Sequence, residues 1–315
     1  MSFAAMMLIG LAIDFVLGWP ARLHARIGHP VTWLGRIISA LEARWNRGPR
    51  GARLRMGAAT TGIVVALALV PAVAVQMLLP AGPAGWLIGG VLAWPLIALR
   101  SMHDHVAAVA QPLAQGDLDG ARAAVAMIVG RDPATLDPAG VARAGIESLA
   151  ENTSDGIGAP IFWGVVAGLP GIAVYKAINT LDSMIGHRDA RFEAFGKVAA
   201  RLDDVVNLIP ARLTGGLFAL ALPRHAVRAC RVMLRDARRH RSPNAGWPEA
   251  AMAGALGLRL SGPRAYGTRL SDEPWLNAGA PDPGPRDLHR ALSLYARAMA
   301  LLALLALALV ALCLF

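Results

Sequence analysis

Lysine is almost missing from this chain: Lys176 and Lys197 are the only two, and every other member of the 31 Lys+Arg is arginine. Cysteine is equally sparse, and the spacing of Cys230 and Cys313 suits neither a metal cage nor a disulfide framework. Charged residues make up 17% and aromatics 6%, against 55% hydrophobic residues and a mean hydropathy of +0.47. That is too apolar for one ordinary soluble domain. No period suggests repeats, and there is no low-complexity tail. A phosphate-cradling P-loop is missing too: Gly196 and Lys197 are followed by Val198, and Arg191 stands where the earlier glycine belongs. Together these gaps exclude a disulfide-stapled module, a solenoid and a P-loop nucleotidase.

What the chain has instead is apolar runs separated by arginine. The net charge of +10 and the pI near 11.0 come from arginines lying between those runs, where cytoplasmic loops of membrane proteins carry them. This argues for anionic lipid and anionic small substrates as partners and against nucleic acid. Residues 3–17 read as a retained anchor with its N-terminus outside, because Arg22 and Arg26 follow the apolar stretch. Asp14 within it marks a protein-facing or water-facing side, or a helix end paired with Arg22. Residues 20–55 form a basic loop with a short amphipathic helix at 33–45. The run 57–79, free of charge, is long enough to cross the roughly 20 residues that the hydrocarbon requires. A Pro/Gly turn at 80–85 reverses the chain and 86–99 returns to the inside.

Residues 101–156 are polar enough to leave the bilayer. His103, Asp104 and His105 are adjacent and point different ways on a helix, so they cannot chelate together. Asp117 begins a short helix to Ile128, and Asp137 followed by Pro138 starts another. The second carries AGIESLAENTSDGIGA, where Glu147 and Glu151 stand one turn apart on one face and Asp155 follows just past the helix end. Stacked carboxylates suit a cation, either Mg²⁺ or a neighbouring arginine; a solvated helix end with Asn152 and Gly156 as stop signals is the plainer alternative.

Residues 157–177 are apolar but broken by Pro160, Gly164, Gly168, Pro170 and Gly171. A full crossing there would put His187, Arg188, Arg191, Lys197 and Arg201 outside, against their charge, so a re-entrant segment is expected. Beyond it lies a second polar constellation: Lys176, Asn179, Asp182, Ser183 and Arg188, then Arg201, Asp203, Asp204, Asn207 and Arg212. The run 205–222 needs a protein or aqueous surface along one side. The stretch SPNAGWPEAAMAGALGLRL from Ser242 has the texture of a substrate loop, including Asn244, followed by a small-residue helix packed closely on a neighbour. Residues 291–315 form a terminal anchor with its C-terminus outside.

ESLAENTSDG at Glu147, KAINTLDSMIGHR at Lys176, RLDDVVNLIPAR at Arg201 and SPNAGWPEAAMAGAL at Ser242 resemble the motifs of the CbiB/CobD family of cobalamin biosynthesis, the adenosylcobinamide-phosphate synthases. Asp14, Gly18, Pro20, His29, Pro30, Val31 and Gly35 fit as well, as does MIVGRD at Met127, and the similarity covers nearly the whole chain. The resemblance implies a multi-pass enzyme of the bacterial cytoplasmic (inner) membrane that joins adenosylcobyric acid to 1-amino-2-propanol or its O-phosphate, using ATP. Other late-stage cobalamin enzymes would be its neighbours.

On that reading Glu147, Glu151, Asp182, Asp203 and Asp204 are the candidate catalytic groups, and Glu147, Glu151, Asp155 and Asp182 the candidate Mg²⁺ ligands. Asn152, Asp155, Lys176, Asn179, Ser183, Arg188, Arg201, Asn207, Arg212 and Asn244 are candidate substrate contacts. Two other classes stay open: a non-catalytic corrinoid carrier or scaffold, and an intramembrane prenyltransferase holding Mg²⁺-pyrophosphate, whose four-residue aspartate spacing is not kept here. The expected fold is an all-α integral membrane protein with about four to six membrane-embedded helices, one re-entrant, plus amphipathic cytoplasmic helices. It would be one polytopic domain, 1–315, with catalytic segments near 101–156, 178–204 and 224–290.

Overall fold

Capping signals written in the sequence set where the helices begin. In the computed structural model, which describes residues 2–129, 133–266, 269–271 and 273–312, Asp137 accepts a bond from Gly140 N at 2.7 Å with Pro138 in the first turn. Asp117 caps its helix in the same way, from Gly120 N at 2.9 Å. His29 caps a helix that starts at Pro30, three residues before the expected Trp33. Gly130, Arg131 and Asp132 of the MIVGRD motif, and Cys313, lie outside the described residues.

The described residues form fourteen α-helices: α1 Phe3–Leu17, α2 Ala21–Ile27, α3 Pro30–Trp45, α4 Arg50–Leu78, α5 Pro83–Ala93, α6 Leu99–Ala114, α7 Leu118–Ala126, α8 Pro138–Thr153, α9 Ala159–Ile185, α10 Lys197–Val206, α11 Leu208–Leu220, α12 Ala226–Asp236, α13 Gly246–Leu256 and α14 Asp287–Leu312. Two small antiparallel ribbons, β1 Leu260–Ser261 with β4 Trp275–Leu276 and β2 Arg264–Tyr266 with β3 Arg269–Ser271, are confined to the segment before α14. The all-α membrane fold expected from hydropathy is therefore the one observed. Four stretches are long and apolar enough to cross a membrane: Arg50–Leu78, Pro83–Ala114, Pro138–Ile185 and Asp287–Leu312. A fifth is the pair Phe3–Leu17 with Ala21–Trp45 if it acts as one span, broken or re-entrant, bent by 108°. The return crossing expected at 86–99 falls within Pro83–Ala114, where α5 gives way to a 3₁₀ turn, Trp94–Leu96, before α6. At about 1.5 Å per residue α5 alone reaches about half of the ~30 Å hydrocarbon core.

The chain divides into two compact units, residues 1–98 with 159–207 and 306–315, and residues 99–158 with 208–305. In the first, α9 doubles back on itself. Gly168 takes φ 66° and ψ −144°, a conformation open essentially to glycine. Gly171 then presses against the Trp163 carbonyl, where an added Cβ would come within 2.1 Å of the oxygen. An unbroken helix would hold those residues about 12 Å apart along its axis. Residues 159–167 and 169–185 thus form a helical hairpin, and Trp163 and Tyr175, on opposite arms, both reach the 206–207 corner: Trp163 Nε1 donates to Val206 O and Tyr175 Oη to Asn207 Oδ1, each at 3.0 Å. The freed Leu169 N–H donates to Gln76 Oε1 of α4 at 2.8 Å. The fold-back lies inside the segment 157–177 expected to be re-entrant, while the bent pair that is itself a broken or re-entrant span is Phe3–Leu17 with Ala21–Trp45.

That loop is fixed by the α3–α4 corner. Glu42 pairs with Arg191 at 2.7 Å, Arg50 with Glu193 at 2.9 Å, and Asn46 and Arg53 donate to the carbonyls of Arg191 and Ala190, each at 3.0 Å. Gly57 lets the backbone in: a Cβ there would lie 1.8 Å from Phe195 O. Beneath the corner Ile38, Val64, Leu181 and Phe195 are fully enclosed.

In the second unit α13 is buried along all eleven residues, with α11 and α12 packed on it. Gly215 approaches the Trp247 carbonyl and Gly254 the Ala229 backbone, which is the close small-residue packing expected of this helix. The helix end expected after Asn152 is instead a π turn, Ser154–Gly158, that carries Asp155 and leads on to α9.

Gly168→Ala should destabilise the protein by about 1–3 kcal/mol from backbone strain, with more from the clash at Gln76 Oε1, and Gln76→Leu by about 1–3 kcal/mol from the orphaned amide. Gly62→Ala, where a Cβ meets nothing within 4 Å, should be neutral or mildly stabilising. Thermal unfolding in detergent compares the three.

Candidate active site

Two polar clusters occupy the two units, and each is built by its own helices. In the first unit the folded-back arm of α9 ends with Asp182, whose Oδ1 sits so close to Gly186 that a Cβ there would come within 2.0 Å. α10 places Asp203 and Asp204 within electrostatic reach of Asp182, and the charges of His187 and Arg188 act on Asp182 from the loop. Asp203 is 9% exposed; its Oδ2 accepts from Asn207 Nδ2 at 3.0 Å, and Asn207 in turn accepts from Tyr175. The Asn179 amide lies close enough to donate toward the same carboxylate, while Oδ1 of Asp203 is buried without a well-formed hydrogen bond. Burial first, and the Asp182 carboxylate second, push Asp203 from an ordinary 3.8 up to about 7, against the opposing pull of Asn207.

The other residues expected here are placed more loosely. Arg201 lies 3.6 Å from Asp204 with its side chain mostly in the open. Ser183 spends its hydroxyl on Asn179 O at 2.9 Å. Lys176 stands within electrostatic reach of His29, which meets Trp19 in a T-shaped contact, Trp19 in turn lying tilted against Trp94.

In the second unit Glu147, only 5% exposed, accepts the Ser261 amide through Oε1 at 2.6 Å. Ser261 is held at φ 61°, so this carboxylate anchors a strained turn. Glu151 and Asn152 reach the surface, and Asn152 Nδ2 donates back to Ser148 O at 2.9 Å. The π turn with Asp155 packs on α11, where Gly158 faces the Thr214 hydroxyl, and the Ser154 and Thr214 hydroxyls are both buried without a hydrogen bond. Arg212 stacks 4.3 Å over Trp247 and lies 3.5 Å from Asn244 Oδ1, while Ser242 Oγ accepts from the Asn244 and Ala245 amides to shape that loop.

Three participants escaped sequence reasoning. Tyr175 precedes Lys176 and reads as one more apolar residue; Trp247 and Glu249 sit inside the SPNAGWPE motif without standing out. Glu249, buried, lies 3.7 Å from His240 Nε2. Only the motif as a whole marked them.

Among the described residues no three His, Cys, Asp or Glu side chains converge as a metal cage. Mg²⁺ asks for less, one or two carboxylates with waters completing its shell. Asp182 and Asp203, with the unsatisfied Oδ1, fit that donor set.

The family model described as CobD/Cbib protein matches residues 7–295. A cobalamin biosynthesis protein CobD of Rhodobacter capsulatus is 67% identical over 305 residues, covering 95% of each chain. Counterparts of the same name from Brucella suis and Sinorhizobium fredii are 50% and 45% identical, covering 93% and 94% of each chain. No solved structure matches.

A carboxyl whose folded pKa is raised stabilises the fold least when ionised, so Asp203 lowers stability as pH climbs from about 4 to about 7. Asp203→Asn should raise the melting temperature by on the order of 5 °C at pH 8 and change it little at pH 5. Mg²⁺ should raise the wild-type value at pH 8 and leave the variant unmoved.

Proposed function

From the premise that this chain belongs to the CobD/Cbib family and serves cobalamin biosynthesis, we propose that it forms an amide between the free propionate carboxylate of adenosylcobyric acid and 1-amino-2-propanol or its O-phosphate, at the expense of ATP. The observation that carries this reading is the carboxylate group of Asp182, Asp203 and Asp204 gathered against Asn207 and Tyr175 at the foot of the α9 hairpin.

A carboxylate does not acylate an amine at neutral pH, because the two exchange a proton and stop. The propionate oxygen must first take a phosphoryl group from ATP, releasing ADP; the amine nitrogen then attacks the acyl carbon and phosphate leaves. Bound Mg²⁺ would neutralise charge on the phosphoryl group being transferred. Asp182 and Asp203 would hold it, with Glu151 and Asp155 serving the same chemistry in the second unit. Arg188 beside Asp182, and Arg201 and Lys176 in the same unit, are clamps for phosphate oxygens. Asp204 takes the proton from the attacking ammonium, and Asn179 and Asn207 orient the reacting groups. Arg212 and Asn244 suit the anionic end of the amine donor, Trp247 keeping the guanidinium plane fixed. Glu147 holds the Ser261 turn that borders this unit's cluster.

The test is product formation by purified protein given adenosylcobyric acid, aminopropanol phosphate and Mg²⁺, with and without ATP. ATP-dependent product with matching ADP and phosphate is expected. Asp182→Ala and Glu151→Ala should each lower the rate by about 10²–10⁴-fold, and full activity in both would remove this site assignment. Folded protein that makes no product with either amine donor would favour a corrinoid carrier or scaffold.

A further inference from the structure

Helix α12 has two apolar faces where a helix on a soluble surface has one. Ala229 and Val232 are buried on the side that packs against α13. Val227 and Leu234, two turns apart on the opposite side, are 72% and 65% exposed. The preceding helix α11 shows a similar outward stripe, Ile209, Leu213 and Leu220, each more than half exposed. Its length, 13 residues, covers about 20 Å and stops short of a full crossing.

The charge around α12 is one-sided. Between Arg224 and Arg241 the chain carries seven arginines and a single carboxylate, Asp236. That carboxylate is already engaged by Arg235 at 2.6 Å, by Arg239 at 3.7 Å and by the Asn277 amide at 2.8 Å. Arg228 is turned inward, donating to Gly254 O and Ala255 O at the end of α13. Arg224 and Arg231 remain on the exposed surface, Arg231 beside the Val227–Leu234 stripe.

We propose that α12 lies in the membrane interface, with Val227 and Leu234 inserted at the acyl-chain boundary and Arg224 and Arg231 on anionic phospholipid headgroups. An exposed apolar stripe flanked by arginines matches both layers that such a helix meets: hydrocarbon beneath it and phosphate around it. Arginine suits the edge position, since its stem can follow the apolar stripe while the guanidinium reaches the phosphates. A nucleic acid would match the arginines and leave the valine and leucine in water. Docked in this way, α12 holds the Ser242–Asn244 turn that follows it at the membrane surface. This assignment stands apart from the amide-forming reading and survives its failure.

The experiment uses the full chain in proteoliposomes, with Cys230→Ser and Cys313→Ser as background and an environment-sensitive fluorophore on Leu234→Cys. Asp119→Cys, at a side chain 93% exposed, is the aqueous control. In vesicles containing phosphatidylglycerol the label at 234 should be blue-shifted and about threefold more quenched by doxyl lipid than the control. Replacing Arg224 and Arg231 by Gln should weaken the preference for phosphatidylglycerol over phosphatidylcholine roughly fivefold per arginine, with the melting temperature unchanged. Iodide quenching at 234 equal to the control would overturn the proposal, as would a disulfide between two copies through Leu234→Cys. Equal doxyl quenching in neutral and anionic vesicles would overturn the headgroup assignment.

Discussion

The bond from the Leu169 amide to Gln76 Oε1 is the interaction on which the first unit depends. A helix broken in apolar surroundings leaves backbone donors with no water to take them, and each orphan is expensive. Glycine at 168 supplies the turn, but only a polar atom delivered from another helix makes the turn affordable in energy. Gln76 is that atom's source, a single amide near the end of an α4 that is otherwise apolar from Gly62 to Leu78. With the break satisfied, the second arm of α9 runs back beside the first. Tyr175 meets Asn207, and Asp182 reaches the loop and α10.

Carboxylates are handled in two ways in this chain. Glu42, Glu193, Asp236 and Asp282 are each neutralised by arginine, and Glu193 and Asp282 sit below the ordinary carboxylate range because Arg50 and Arg259 bond to them. The Asp182, Asp203 and Asp204 group is the exception. Arg201 lies 3.6 Å from Asp204, the charge of Arg188 acts on Asp182, and an amide bonds Asp203. Carboxylates crowded together and buried are costly to ionise, and a fold that keeps such a group retains affinity for a proton or a cation there. Glu147 shows the contrary use of the same residue type: buried and spent on a backbone amide, it shapes a turn.

Arginine does most of the second unit's fastening. Arg143 and Arg259 both pair with Asp282 and lie 4.7 and 4.2 Å over the Trp275 ring, and Arg228 closes the end of α13. The planar guanidinium can stack and donate at once, which lysine cannot do. The near absence of lysine is consistent with a chain whose cations act as fixed structural forks.

The sequence by itself determined the class, the helix starts and the approximate limits of the apolar runs, because composition, caps at Asp117 and Asp137 and hydropathy are local properties. The Pro and Gly residues within 157–177 also marked where α9 breaks and folds back at Gly168. The four polar motifs named stretches that the fold gathers into two polar clusters, one in each unit. Only the tertiary structure decided what each carboxylate does: Glu147 and Glu151 look alike one turn apart, yet one is sealed against Ser261 and the other reaches the surface. Nor could spacing show that Gln76 serves Leu169, or that Tyr175 serves Asn207, since those partners lie far apart along the chain. Periodicity reports which side of a helix is apolar; it carries no information about which distant atom will arrive to satisfy a buried donor.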